Sequence, residues 1–428
     1  MLRAITSILS PPTSPTSPTF PRPPIEIEMS TPVRPVLDKK RHVDYWRRCL
    51  TTPLPSDYIP TDLNRMTLGC FSVGAIDLLG ELPFRTSPED RACWVEWIYR
   101  CQLPSGGFRG SPATDLGPLR TESNAVWDPA NVSASFFAVA TLVNLGDNLE
   151  RVKRAELLSL LPEMQRDDGS FCESIVDEQQ VGGRDMRFLY MAVALRWFLR
   201  GKEGEGCSDV ADIDVQRTVA YIQRAQTYDG GISEKPFGES HAGMTYCAVA
   251  ALSLLGRLDE SSIQIDPLVR WLVHRQVPFE RKDEMDQDDW QDILDSGSEE
   301  EQVDGRKIEL GTDGRPLWGG FHGRCNKKAD TCYSFWIGAS LDMLKKLYLI
   351  DINANRRFLL EKTKHIIGGF MKLPEPEGVP DVLHSFLGLA ALALMREEGV
   401  NRLEATLAIS LQAKERLMAL DWWAEGRL

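Results

Sequence analysis

The chain has 428 residues, 43% of them hydrophobic, enough for a sizeable core in one large domain or two to three ordinary ones. A formal net charge of -13 argues against a nucleic-acid binder, which needs concentrated Lys and Arg to neutralise phosphates. The nine cysteines, an odd number scattered through apolar segments, read as reduced thiols, and no apolar run reaches the roughly 18 residues that span a bilayer. The chain is therefore expected in the cytosol.

In chain order, residues 1–36 come first, with repeats such as Pro11-Pro12-Thr13-Ser14-Pro15 that form neither helix nor core and are expected to be disordered. Residues 37–428 read as one domain, almost entirely helical. A glycine turn recurs at Gly106-Gly107-Phe108, Asp168-Gly169-Ser170-Phe171, Asp229-Gly230-Gly231, Gly319-Gly320-Phe321 and Gly368-Gly369-Phe370. In the first three, Gln102, Gln165 and Gln226 stand four residues before the glycine. Apolar helices follow, among them Ser133 to Leu145, Arg187 to Leu199, Met244 to Leu255, Cys332 to Leu344 and Ser385 to Met395. Each is apolar nearly all round, which implies burial on every face. Amphipathic helices such as Pro88 to Gln102 and Asp214 to Gln226 alternate with them. A period of about 50 to 60 residues with this alternation predicts a closed ring of helical hairpins, an all-α fold of the α/α toroid type. Gln276 breaks the rhythm, because its glycine comes only at Gly319. The intervening residues 277–315 are acidic and read as a solvated loop inserted into the ring. Within it, Glu280 to Asp304 would attract basic partners at long range.

In such a ring the inner helices run parallel and their N-termini gather at one mouth, where free N–H groups and dipoles favour anions. His241, Asp330, His384 and Arg187 fall at these ends, with Arg324 and Lys327 nearby. An anion-binding rim over an interior of aromatic and aliphatic side chains suits an isoprenyl diphosphate. Asp330, Cys332 and His384 form a plausible Zn²⁺ set of three protein ligands with an open fourth position. Read alone, Asp330 and His241 serve equally well as helix N-caps, and Arg324 and Lys327 as a solvated loop.

The segment Gly320-Phe321-His322-Gly323-Arg324-Cys325-Asn326-Lys327-Lys328-Ala329-Asp330-Thr331-Cys332-Tyr333-Ser334-Phe335-Trp336 resembles the signature of protein prenyltransferase β subunits. Pro380-Asp381-Val382-Leu383-His384, Glu239-Ser240-His241-Ala242-Gly243 and Asp185-Met186-Arg187-Phe188 resemble three further segments of that family, in family order. The resemblance implies a zinc-dependent transferase that attaches an isoprenoid to the cysteine of a C-terminal CaaX motif, as found on small GTPases. It implies Zn²⁺ on Asp330, Cys332 and His384, with His241, Arg324, Lys327 and Tyr333 on the diphosphate. Arg187 would hold the C-terminal end of the peptide, and Tyr190 and Trp336 would line the isoprenoid channel. A partner α subunit would supply a further lysine in a heterodimer.

Among the family's branches, the residues look most similar to the type I geranylgeranyl enzyme. Thr67 falls where the resemblance predicts a tryptophan in the farnesyl enzyme, and a small residue leaves room for one more isoprene unit. Leu383 is type I-like in the same way. Lys372 stands where the farnesyl enzyme has a magnesium-binding aspartate, so Mg²⁺ is expected not to be required. Asn131 and Met244 depart from the family pattern. The remaining alternatives are a farnesyl or Rab geranylgeranyl enzyme, a terpene cyclase using Asp286-Gln287-Asp288-Asp289, and a non-catalytic toroid that binds lipid or protein.

Overall fold

The structure, a computed structural model, describes residues 34–201, 209–259, 263–279 and 306–424, with strands at Glu26–Met29 and Arg281–Lys282. The chain divides into two compact units: residues 31–279 with 316–428, and residues 1–30 with 280–315.

Among the described residues, twelve helices of the larger unit form a ring. In chain order they are α1 (Lys39–Thr51), α2 (Arg65–Leu78), α3 (Pro88–Arg100), α4 (Val132–Leu145), α5 (Arg154–Met164) and α6 (Met186–Arg200). Then come α7 (Val215–Ala225), α8 (Ala242–Leu254), α9 (Ile265–Val273), α10 (Thr331–Met343), α11 (Ile352–Arg357) and α12 (Val382–Leu394). The even-numbered helices are the inner layer. Each packs on the next, and α12 packs back on α2, so the layer closes. Their burial on nearly every face explains why they lack an amphipathic stripe. The inner layer has one member that the sequence reading did not recognise as such. Helix α2 follows Pro53-Leu54-Pro55 and a 3-10 segment, Ser56–Asn64, rather than a glycine turn.

The recurrent glutamines have a shared task. The Gln165 side chain accepts from the Asp214 N–H (2.7 Å) and donates to the Asp214 carbonyl (2.9 Å). Gln226 makes the same two-way pair with Gln264, and Gln276 with Asp351. Asp214, Gln264 and Asp351 are the N-cap positions of α7, α9 and α11, so each glutamine fastens one outer helix to the next. The glycines four residues on from Gln165 and Gln226 are held in the left-handed region, with φ of 89° at Gly169 and 97° at Gly230. A Cβ on Gly169 would lie 2.0 Å from the Arg217 carbonyl oxygen. Left-handed backbone and a clash with main chain add, so Gly169→Ala is expected to cost about 3 kcal/mol. A denaturant midpoint unchanged from wild type would contradict this.

The first amide of an inner helix has no partner within its own helix. Here it is bonded by the segment leading to the following inner helix: Val132 N–H to Glu173 O, Met186 to Glu234, Ala242 to Gly323 and Thr331 to Lys372. In α2 the second residue does this, Met66 N–H to Gly110 O. At the seam, Val382 N–H donates instead to the Tyr58 hydroxyl at 2.9 Å. All six inner helices therefore begin at one end. The other end is closed by the C-terminal segment: Asn401 N–H bonds the Leu78 carbonyl, and Arg416 donates to the Asn144 carbonyl. A hairpin of Leu403–Glu404 and Ile409–Ser410 reaches inward from there, where its Thr406 carbonyl accepts from the Tyr190 hydroxyl at 2.8 Å.

Strands Gln276–Pro278 and Gly319–Phe321 pair antiparallel, so the chain leaves and rejoins the ring at one short ladder. The smaller unit corrects the expectation of a plain tail and loop. Glu26–Met29 pairs parallel with Arg306–Leu310, which pairs antiparallel with Arg281–Lys282. Lys307-Ile308-Glu309-Leu310 alternates charged and apolar residues, a strand pattern outweighed in the sequence reading by the acidity around it. Residues 283–305, including Asp286-Gln287-Asp288-Asp289, and the tail before Glu26 lie outside the described residues. Among the described residues no helix is long and apolar enough to cross a membrane, and the described cysteines are unpaired.

Candidate active site

Five of the six inner helices are capped by a side chain that accepts from their first turn: Asn131, Asp185, His241, Asp330 and Asp381. The capping and site readings of Asp330 and His241 turn out to be compatible, because one atom of each side chain caps the helix and the site is built around the same group. Asp330 Oδ1 accepts from Cys332 N–H at 2.8 Å and lies 3.3 Å from His384 Nε2. Asp381 Oδ1 caps the His384 N–H at 2.9 Å, while its Oδ2 meets His384 Nδ1 at 2.6 Å. With Nδ1 held by the Asp381 carboxylate, Nε2 is the nitrogen that faces Asp330 and Cys332, and it would ligate a metal once its own proton is lost. Asp381 was missed as a site residue. Its signal was the Asp-x-x-His spacing, which puts a carboxylate over a histidine in a helix first turn.

Asp330, Cys332 and His384 are buried, and one donor atom from each lies within 4.8 Å of the others, the one such cluster among the described residues. Burial pulls the His384 imidazole down, yet Asp330 and Asp381 outweigh it and hold it up to about 9. Burial and the Asp330 carboxylate push the Cys332 thiol well above its usual range, with Lys372 pulling weakly the other way. Sulfur, imidazole nitrogen and carboxylate oxygen in a buried triad are the donors of a tetrahedral site for a borderline-soft divalent ion, with bonds of about 2.0–2.3 Å. Small side-chain rotations would bring the three donors to that spacing, so the residues fit a metal.

A cationic rim flanks the triad. Tyr333, one residue past Cys332, places its hydroxyl 3.2 Å from His241 Nε2. Arg324 donates to Glu239 at 3.1 Å, and Arg187 is gripped by its own N-cap Asp185 through Nε (2.9 Å) and Nη2. Burial, then the positive charges of Arg324 and Arg187, lower the His241 pKa. Glu239, which anchors Arg324, was not anticipated. Lys327 and Lys372 are exposed. Asn131 caps α4 and donates to Glu173 at 2.9 Å, and Met244 is half-buried.

One turn inside the caps, every inner helix contributes aromatic rings. Phe386 stacks on Phe71 (4.9 Å), Phe71 meets Phe137 (5.5 Å) and Phe137 meets Phe136 (5.1 Å). The belt continues from Phe136 to Tyr190 (5.5 Å), Tyr190 to Tyr246 (5.6 Å) and Tyr246 to Trp336 (4.9 Å). Trp336 is half-buried in this belt, whereas Tyr190 is fully buried and tied to Thr406. Thr67 lies four residues before Phe71 and so shares its face of α2. Leu383 is 40% exposed beside His384 at the mouth.

Comparison with known proteins agrees with this geometry. The prenyltransferase alpha-alpha toroid domain matches residues 37–409, and the chain belongs to that family of prenyltransferases. It is 31% identical to the geranylgeranyl transferase type-1 subunit beta of Arabidopsis thaliana over 395 residues, 88% of this chain and 90% of that one. It is 28% identical to the corresponding Dictyostelium discoideum subunit, covering 90% of this chain and 98% of that protein. The Candida albicans protein geranylgeranyltransferase-I complexed with GGPP superposes with a TM-score of 0.72 at 26% identity, over 90% of this chain and 99% of that chain. A Schizosaccharomyces pombe protein farnesyltransferase subunit beta is 29% identical over 86% of this chain and 83% of its own length.

Proposed function

We propose that this chain is the catalytic β subunit of a type I protein geranylgeranyltransferase, moving the geranylgeranyl group from its diphosphate to the cysteine of a C-terminal CaaX motif. The observation that carries the reading is the buried Asp330–Cys332–His384 triad beside a cationic rim, at the mouth of a ring lined with aromatics. Its partners are a prenyltransferase α subunit and the CaaX tails of small GTPases in the cytoplasm.

Asp330, Cys332 and His384 would hold Zn²⁺, which when bound lowers the pKa of an incoming substrate thiol. The residues around it do the rest. Asp381 keeps the His384 Nε2 lone pair turned toward the metal position. The belt from Phe71 to Trp336 gives the hydrocarbon a dry, apolar wall. As the thiolate attacks C1 of the lipid, charge grows on the departing diphosphate, and Arg324, Lys327 and Tyr333 stabilise it. Lys372, beside the triad, supplies positive charge that a magnesium ion would otherwise bring. Arg187 receives the peptide's C-terminal end.

The test is co-expression with a prenyltransferase α subunit and comparison of geranylgeranyl and farnesyl diphosphate as donors to a peptide ending in Cys-a-a-Leu. Transfer that prefers the longer lipid, stops on zinc chelation and gains little from added Mg²⁺ is expected. Preference for the farnesyl donor would make the chain a farnesyltransferase subunit. No transfer by a stable heterodimer would refute the catalytic reading.

A further inference from the structure

We propose that Cys325 is an oxidation site: its exposed thiol is set against the buried Arg275 guanidinium, where a hydroperoxide converts it to a sulfenic acid and so weakens the hold of the rim on the lipid diphosphate. The effect on the lipid rests on the reading of Arg324 and Lys327 as diphosphate ligands; the oxidation itself does not.

Arg275 follows the end of α9 and is only 7% exposed. A buried guanidinium ordinarily faces a carboxylate, because an unpaired buried charge is costly. Here no carboxylate bonds it among the described residues. Its Nη1 donates to Cys325 Sγ at 3.0 Å, its Cζ lies 4.9 Å over the Trp271 ring, and its Nε is buried without a partner. The cation therefore lacks an anion, and the one side-chain atom to which it donates a hydrogen bond is a sulfur. That sulfur is held in place. His322 N–H donates to the Arg275 carbonyl at 3.1 Å, and the Gly323 carbonyl accepts the Ala242 N–H at 3.0 Å. His322 Nδ1 meets the Arg324 carbonyl at 2.6 Å, which fixes the turn from His322 into Cys325. The Cys325 residue is nonetheless exposed, so a small oxidant reaches it.

In the step itself a sulfur electron pair attacks one peroxide oxygen. An S–O bond forms, the O–O bond breaks, and the thiol proton leaves with the departing oxygen as water or an alcohol. Sulfur loses two electrons and the peroxide gains them, leaving Cys325 as a sulfenic acid that added thiol reduces back. Negative charge grows on the departing oxygen, and a fixed guanidinium beside it stabilises that charge. Arg275 also has N–H donors to spare for the oxygen newly placed on the sulfur. Cys325 follows Arg324 directly and stands two residues before Lys327. A sulfenate oxygen there competes with the diphosphate for the same cations.

The experiment treats the α/β heterodimer with hydrogen peroxide and dimedone, which traps sulfenic acids, and follows each labelled cysteine by mass spectrometry. Cys93 is the internal reference, since it too is exposed but accepts from no arginine among the described residues. Labelling of Cys325 is expected to run roughly tenfold faster than that of Cys93, and Arg275→Met to slow Cys325 alone. The comparison within the wild-type enzyme needs no variant, so it stands even where Arg275→Met does not fold. Geranylgeranyl diphosphate affinity is expected to fall about tenfold on oxidation, to return with dithiothreitol, and to be insensitive to peroxide in Cys325→Ser. Labelling of Cys325 no faster than Cys93 would overturn the proposal. Fast labelling with unchanged lipid affinity would uphold the oxidation site and overturn its link to the rim. A loss of affinity that persists in Cys325→Ser would overturn that link as well, and zinc content would show whether Cys332 is the thiol responsible.

Discussion

Cys332→Ala in the heterodimer is expected to lower prenyl transfer by on the order of a thousandfold and to remove stoichiometric zinc, because a buried triad cannot lose its sulfur and keep a tetrahedral ion. Asp381→Asn leaves all three donors in place but replaces the carboxylate that meets His384 Nδ1 at 2.6 Å. Its expected loss is smaller, roughly ten- to a hundredfold in metal affinity or activity, the usual scale for a group that orients a ligand. Metal analysis beside rate measurement separates the two. Full zinc content with full activity in Cys332→Ala would remove the triad from the chemistry.

Thr67→Trp is expected to change which lipid the enzyme uses. Thr67 stands one turn from Phe71 on the face of α2 that meets Phe386 and Phe137. An indole there occupies the space assigned to the last isoprene unit, and forcing that unit into a filled site costs about 3 kcal/mol. Geranylgeranyl transfer then falls about a hundredfold in kcat/KM while farnesyl transfer is retained or gained. If the ratio of the two donors does not move, Thr67 does not measure chain length and the depth of the cavity is set elsewhere.

The ring was legible in the sequence because its parts repeat. Gln165, Gln226 and their glycines recur because one geometric problem, fastening an outer helix to the next, is solved each time with the same side chain. Helix α2 was not recognised as inner because the chain enters it through Ser56–Asn64, with no glycine turn to announce it. Cys332 and His384 were legible as donor types with helix-end spacing. Glu239 and Asp381 were not, because an acid near a helix start usually serves only as a cap or a solvated charge. Their roles depend on Arg324, brought in from 85 positions away, and on a histidine whose far nitrogen faces Asp330. The strands of the smaller unit were hidden by composition, since charge density around Arg306–Leu310 drowned a short alternating pattern.

The lacing of the inner helices has a consequence for how the molecule comes apart. In an open stack of repeats the terminal units fray first, and a shortened array remains a smaller version of itself. Here the bond from Val382 to the Tyr58 hydroxyl and the packing of α12 on α2 make the first and last hairpins neighbours. Removing any one hairpin therefore exposes two raw flanks and opens the wall around the lipid, so no intermediate ring size exists to fall back on. Length can vary only where the chain leaves the circle and rejoins it at the same place, as it does at the ladder between Gln276–Pro278 and Gly319–Phe321.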